Sequence, residues 1–110
     1  MDTKQTVNET SAKIAAINDK FRKSNPAHYT MTYGIMAKMD AGSVIRAVQQ
    51  FSSFTEDNDP YGEHDFGKFV LDGETVFWKI DYYDSELMGW CDPLSQECTR
   101  VLTVMLAEEY

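Results

Sequence analysis

The sequence predicts an α+β fold: a small antiparallel sheet of about three strands with helices packed on one face, in the order α-β-α-β-β-α. Three observations carry this expectation. Apolar residues recur at helical spacing near the start of the chain and again after Asp40, two short alternating runs meet at Asp72-Gly73, and a further apolar stripe follows Asp92-Pro93. A length of 110 residues suits one domain spanning 1–110, and a hydrophobic content of 43% with only 3 Pro and 6 Gly belongs to a chain that folds.

Taken in order, residues 1–10 are polar and are expected to fray. From Ser11 onward Ile14, Ile17 and Phe21 repeat at helical spacing beside Ala15 and Ala16, with Lys13, Lys20, Arg22 and Lys23 on other faces. That helix should stop before Asn25-Pro26, because the residue preceding a proline is pushed out of the helical region. His28 to Ala37, rich in Tyr, Thr and Met with a rough two-residue alternation, reads as a strand. Asp40 then caps a helix from Ala41 to about Gln50, whose stripe is Val44, Val48 and Phe51 with Ile45 beside it.

Thr55 to Gly62 is a loop by its Asp, Asn, Pro and Gly content. The runs His64 to Leu71 and Glu74 to Tyr83 form a hairpin about Asp72-Gly73, a pair suited to a two-residue type I′ turn with positive φ. Along the second run Val76, Trp78, Ile80 and Tyr82 face the core, while Phe77, Lys79, Asp81 and Tyr83 face the other way. Asp84 to Trp90 is a loop. Asp92-Pro93 reads as an N-cap with proline at the first helical position, so Leu94 onward is expected to be a helix burying Val101, Leu102, Met105 and Leu106. Trp78, Ile80, Val101, Leu102 and Met105 should therefore share one core.

The net charge of −8 is unevenly spread: residues 1–55 hold 7 basic and 4 acidic side chains, residues 56–110 hold 3 and 14. An acidic second half draws a cation or a basic partner and repels phosphate backbones, so direct nucleic-acid binding is not expected. No apolar run is long enough to span a bilayer, and the first residues lack the apolar stretch of a signal peptide. The chain is read as cytoplasmic, with Cys91 and Cys98 as free thiols.

Asp57, Asp59, Glu63, His64 and Asp65 supply carboxylates and an imidazole of the kind that a divalent cation or acid–base chemistry uses. Their spacing is not that of an EF-hand, and His64 and Asp65, adjacent on a strand, would point to opposite faces and form no relay. The same residues suit a capped turn, in which Asp57, Asn58 and Asp59 bond backbone N–H groups, Pro60 and Gly62 shape the turn, and Tyr61 and Phe66 anchor it. Lys79 and Asp81 are expected on a wet sheet face with a cross-strand ion pair to Asp65 or Lys68, and Arg100 in a pair with a carboxylate of the acidic loop. There is no nucleophile elbow, Gly-rich phosphate loop, zinc-ligand spacing or RNA-binding aromatic-basic motif.

Four stretches carry a resemblance: Asn18-Asp19-Lys20-Phe21-Arg22, Asn58-Asp59-Pro60-Tyr61-Gly62-Glu63-His64-Asp65-Phe66-Gly67, Trp78-Lys79-Ile80-Asp81-Tyr82-Tyr83-Asp84, and Thr99 to Ala107. With these the chain closely resembles, from about Ile17 to Tyr110, an uncharacterised bacterial family of unknown function (DUF 3768). The resemblance implies an origin in bacterial genomes, plasmids and phages, and no assigned activity. The chain departs from that pattern at Trp90-Cys91-Asp92, where a small residue and Pro would precede the Asp-Pro pair.

Together these features lead us to expect a small acidic interaction protein without a cofactor. It would act as an inhibitor of a host defence nuclease, of the anti-CRISPR or anti-restriction type, by imitating nucleic acid. Its surface would be Glu56, Asp57, Asp59, Glu63, Asp65, Asp81, Asp84 and Glu86, set against a protein partner with a basic face; the oligomeric state stays open, a homodimer included. The alternatives are a divalent-metal-dependent hydrolase built on Asp57, Asp59, Glu63, His64 and Asp65, and a sponge for a small nucleotide signal.

Overall fold

The computed structural model describes the backbone of residues 3–110 and the side chains of residues 9–110. Helix α1 runs Thr3–Ser24. It begins well before Ser11, within the segment expected to fray, because Lys4, Gln5 and Glu9 are good helix formers even where no apolar stripe advertises a helix; residues 1 and 2 lie outside the described residues. The buried stripe of α1 is Ser11, Ile14, Ala15, Asn18 and Arg22, not Ile14, Ile17 and Phe21. Ile17 stands exposed and Phe21 half-buried.

After a 3-10 turn at Pro26–His28, strand β1 covers only Thr30–Met31, and Tyr33–Lys38 is a short helix, α2. The strand expected over His28 to Ala37 is thus mostly helical. Its cause is tertiary: the Glu109 carboxylate, far along the chain, accepts from the Gly34 N–H at 3.0 Å and the Thr32 hydroxyl at 2.5 Å, placing an anion at the start of α2. Those bonds, with one from the Leu106 N–H, hold the Glu109 pKa below the ordinary carboxylate value. Helix α3, Ala41–Gln50, follows the sequence reading, with Asp40 Oδ2 accepting from the Ser43 N–H at 2.9 Å and Val44, Val48 and Phe51 buried.

Strands β2 (Phe66–Leu71) and β3 (Glu74–Tyr83) form the expected hairpin. Leu71 pairs with Glu74, and Asp72 and Gly73 take φ of 51° and 79°, the two positive values of a type I′ turn. The region expected to be a helix from Leu94 is instead a turn followed by strand β4, Thr99–Leu106. Asp92 Oδ1 accepts from the Leu94 N–H at 2.9 Å, an Asx turn that starts no helix. The segment carries Thr99, Val101, Thr103 and Val104, all β-branched, and lies centrally in the sheet; apolar side chains stand on both its faces, Leu102, Val104 and Leu106 inward and Val101 and Met105 outward, so its apolar run imitates helical spacing.

The sheet has four strands in the order β1-β4-β3-β2, all neighbours antiparallel except the two-residue parallel pair β1·β4. The observed order of elements is therefore α-β-α-α-β-β-β. The helices lie on one face, where Ile14, Val44, Val48 and Phe51 meet Val76, Trp78, Ile80, Tyr82, Leu102, Val104 and Leu106. Gly67 pairs with Trp78, and a Cβ there would come within 2.2 Å of the indole Nε1, so a glycine is what lets the ring lie flat against β2. On the opposite face Phe66, Phe77 and Tyr110 form an edge-on aromatic cluster, with centroids 5.3–6.2 Å apart. Met105 pairs with Phe77 on that side and is buried there, while Val101 is half-exposed, so these two lie outside the core that encloses Trp78, Ile80 and Leu102.

The facing of β4 is directly testable. Leu102→Ala should cost about 3 kcal/mol in urea unfolding and Val101→Ala about 1 kcal/mol or less, since only the first empties a closed core. Equal losses at both positions would restore a helix with the two residues side by side.

Candidate functional site

The buried polar stripe of α1 organises one end of the molecule. Arg22 is almost completely enclosed, yet its guanidinium donates to the carbonyls of Val48 at 2.7 Å and Gln49 at 3.0 Å and to Asp19 Oδ1 at 3.1 Å. It lies over the Phe54 and Trp78 rings, 5.7 and 5.2 Å from their centroids. Asp19 in turn holds His64, whose Nδ1 is 3.0 Å from both carboxylate oxygens. The imidazole stacks on Phe54 at 3.8 Å between centroids, and its Nε2 comes to 3.8 Å from Asp59 Oδ2.

Asn18, one turn away from Arg22, has no exposed surface and uses its whole amide. Its Nδ2 donates to the Glu63 carbonyl and to the Tyr82 hydroxyl, both at 2.9 Å, and its Oδ1 accepts from Arg100 Nε at 2.5 Å. The Tyr82 hydroxyl donates onward to Glu63 Oε1 at 3.2 Å, and burial drives its pKa well above the ordinary tyrosine value. Arg100 also donates to the Pro93 carbonyl at 2.7 Å and stacks over the Tyr82 ring. No carboxylate of the acidic loop takes Arg100 as the sequence suggested. An amide oxygen, a carbonyl and the Cys98 Sγ, at 3.6 Å, accept its N–H groups, and these bonds tie α1 and the turn before β4 to the sheet.

His64 has φ of 56° and stands before β2, not within a strand, so the strand argument that separated it from Asp65 does not apply. Asp59 is buried and accepts from the Glu63 and His64 N–H groups at 3.1 and 3.2 Å, as a capped turn requires. Asn58 Oδ1 accepts from the Thr55 N–H and Gly62 adopts φ of 69°, whereas Asp57 and Glu56 are exposed. Tyr61 is exposed and Phe66 belongs to the outer sheet face; the loop is anchored by Phe54 and His64 instead. The chemistry-bearing residues of this stretch are thus divided. Asp59 and His64, with Asp19, Glu56 and Tyr61, line a cleft of about 590 Å³ against α1, while Asp65 lines another of about 350 Å³ with Asp81, Tyr83 and Trp90. Among the described residues no three His, Cys, Asp or Glu side chains are arranged to hold a metal ion.

Around the second cleft the charge is concentrated. Burial first, then Glu63, Asp59 and Asp81 nearby, push the Asp65 pKa up to about 6. Lys79 pairs with Asp81 at 3.2 Å along its own strand, since its cross-strand neighbour is Phe66 and not an acid. Asp84 folds the next loop by accepting from the Glu86 and Met88 N–H groups, at 3.1 and 3.0 Å, and Trp90 is held by a bridge to Tyr83. That loop exposes Leu87, Met88 and Trp90, at 55, 81 and 73% of their full surface, with Leu87 at φ of 60°. Cys91 and Cys98 are free thiols.

Asn18, Asp19, Arg22 and Tyr82 were not among the site residues expected from sequence. The available signal was the register of α1: Asn18 and Arg22 fall at i+4 and i+8 from Ile14, on the stripe that faces the core. A buried amide and a buried guanidinium there have to be hydrogen-bonded.

The fold and this end of the molecule define a small α+β protein in which one buried polar network joins a helix, an acidic loop and the sheet. The chain belongs to the family described as protein of unknown function (DUF3768), whose model matches residues 6–109. No curated protein and no solved structure matches it. All four stretches on which the family resemblance rests meet in this network, through Asn18, Glu63, Tyr82 and Arg100.

Two measurements test the site. Asn18→Ala removes three hydrogen bonds from this network and should cost about 3 kcal/mol. Tyr82→Phe should cost less, about 1 kcal/mol, and in the double variant the two losses should fall short of their sum. Additive losses would mean that the network is not one unit. Asp65→Asn tests the electrostatics. An ionised Asp65 opposes folding because its folded pKa lies above the unfolded value, so the variant's gain should be absent near pH 3, grow up to about pH 6 and level off at about 1 kcal/mol after allowing for solvent screening.

Proposed function

We propose that this protein is a binding protein, not an enzyme, whose acidic end docks against a basic surface of another protein. The observation that carries this reading is the loop after β3, where Leu87, Met88 and Trp90 are exposed beside Asp65, Asp81, Asp84 and Glu86. A large aromatic with adjoining aliphatic side chains, rimmed by carboxylates, matches the anchor-and-rim anatomy of interfaces that bind by a few hot spots. Burial raises the Asp65 pKa most and the neighbouring carboxylates add to it; that second part is relieved when a Lys or Arg of a partner enters.

Four of the five members of the metal-hydrolase alternative are placed elsewhere, and the fifth, Asp57, is exposed. Asp59 caps its loop, Glu63 accepts from Tyr82, His64 is held by Asp19, and Asp65 faces a separate cleft. In its finer form the proposal makes the partner's basic surface one that otherwise holds nucleic acid, as in a defence nuclease, which the protein would then inhibit.

Trp90→Ala with Glu86→Lys alters only exposed positions and should leave the melting temperature unchanged. Capture of a basic protein from extract of the cell of origin should fall at least tenfold in this variant. It should also weaken steeply between about 50 and 300 mM salt and be competed by duplex DNA. Capture that ignores both the variant and the salt, or a metal-dependent turnover abolished by His64→Ala, would overturn the reading.

A further inference from the structure

A different cleft, of about 520 Å³, opens between the end of α1 and the start of β4 and has the opposite chemistry. Lys20, His28 and Arg100 line it, and no carboxylate does, although the chain as a whole carries a charge of −8. Neither Lys20 nor His28 has an ion-pair partner among the described residues. Arg100 is fixed in place through Asn18, Pro93 and the Cys98 Sγ, to which its Nη1 donates at 3.6 Å, while a guanidinium has five N–H donors and these three bonds leave two of them.

The carbonyl pole of α1, which would repel an anion, is covered from within. Asn25 Nδ2 donates to the Phe21 carbonyl at 3.1 Å, the Tyr29 hydroxyl to that of Arg22, and Gln49 Nε2 to that of Lys23 at 3.0 Å. Ser24, Asn25 and Thr99 add polar side chains to the wall. Ile17 and Phe21 form an apolar side, which gives the exposed Ile17 on α1 a role that core packing does not.

We propose that this cleft binds a small phosphate monoester carrying a flat or apolar group, with the phosphate between Lys20, His28 and Arg100 and the apolar group against Ile17 and Phe21. Lys20 and Arg100, with the His28 imidazole beside them, suit a dianion better than a single carboxylate, and Arg100 keeps two N–H donors that phosphate oxygens accept. The cleft is of the size that small-molecule sites have. The acidic residues elsewhere on the chain disfavour a long polyanion and leave a compact ligand.

Phenyl phosphate, AMP, phenol and inorganic phosphate are the probes, each titrated into the full chain while backbone amide signals are followed by NMR. Phenyl phosphate and AMP should shift Ser24, Asn25 and Thr99 at least tenfold below the concentrations that inorganic phosphate or phenol requires. Lys20→Glu with His28→Gln, both exposed and unpaired positions, should abolish this while keeping the melting temperature and the dispersion of the spectrum. Absence of these shifts up to about 10 mM of either ester, a Kd far weaker than that of a working site, overturns the proposal. So does binding that survives the double variant, or phenol binding as well as its phosphate. Because this cleft shares no lining residue with the one at Trp90, failure here leaves the protein-docking reading intact, and the reverse also holds.

Discussion

A guanidinium inside the molecule sets the terms for everything around it. Arg22 is enclosed on a helix face that otherwise packs Ile14 and Ala15, and removing such a charge from water costs several kcal/mol unless geometry compensates. The compensation is distributed over two α3 carbonyls, two aromatic faces and the carboxylate of Asp19. Asp19, committed to Arg22, is then placed to hold His64, and His64 stacked on Phe54 fixes the start of the hairpin. Helix, loop and sheet are joined around one buried cation, whose Nη atoms are hydrogen-bonded and whose Nε alone lacks a partner among the described residues.

The acidic loop shows how the same demand separates structural from available carboxylates. Asp59 and Glu63 are engaged in backbone and tyrosine hydrogen bonds, and Asp19 in an ion pair, so these anions stabilise the fold. Asp65 differs: a raised pKa means that its ionised form is held against the preference of its surroundings. It lies next to an exposed Trp90, which an isolated folded domain does not require. Charge held at a cost beside an exposed anchor is the pattern expected where binding, rather than folding, selects the residues.

Much of this was legible in the sequence where the information is local. The α3 cap at Asp40, the Asp72-Gly73 turn and the alternation of Val76 to Tyr82 depend on neighbours a few residues apart, and each lies where pattern reading places it. The failures depend on distant partners. The start of α2 is held by Glu109, and β4 has its period concealed because apolar residues stand on both its faces. Its Val101, Leu102, Val104, Met105 and Leu106 satisfy a helical and an extended template alike, and an Asp-Pro pair ahead of them tips the choice the wrong way. At the acidic end, Asp59 as a turn cap was readable from its spacing, but Asp19 is 40 residues or more from its histidine, and nothing short of the folded α1 register brings them together.

The two clefts of opposite charge have a common wall-holder in Asn18. Its Nδ2 positions the Tyr82 hydroxyl and the Glu63 carbonyl, and Tyr82 lines the acidic cleft; its Oδ1 positions Arg100, which lines the basic one. A primary amide is the side chain suited to this task, since it donates on one side and accepts on the other without carrying a charge that would favour either cleft. An Asp in its place would be drawn to Arg100 but could not donate to the carbonyl and hydroxyl beside Tyr82, and a Leu would strand all three partners. Tyr82 on the acidic side and Arg100 on the basic side are therefore held by one neutral residue between them, which a charged side chain could not do for both.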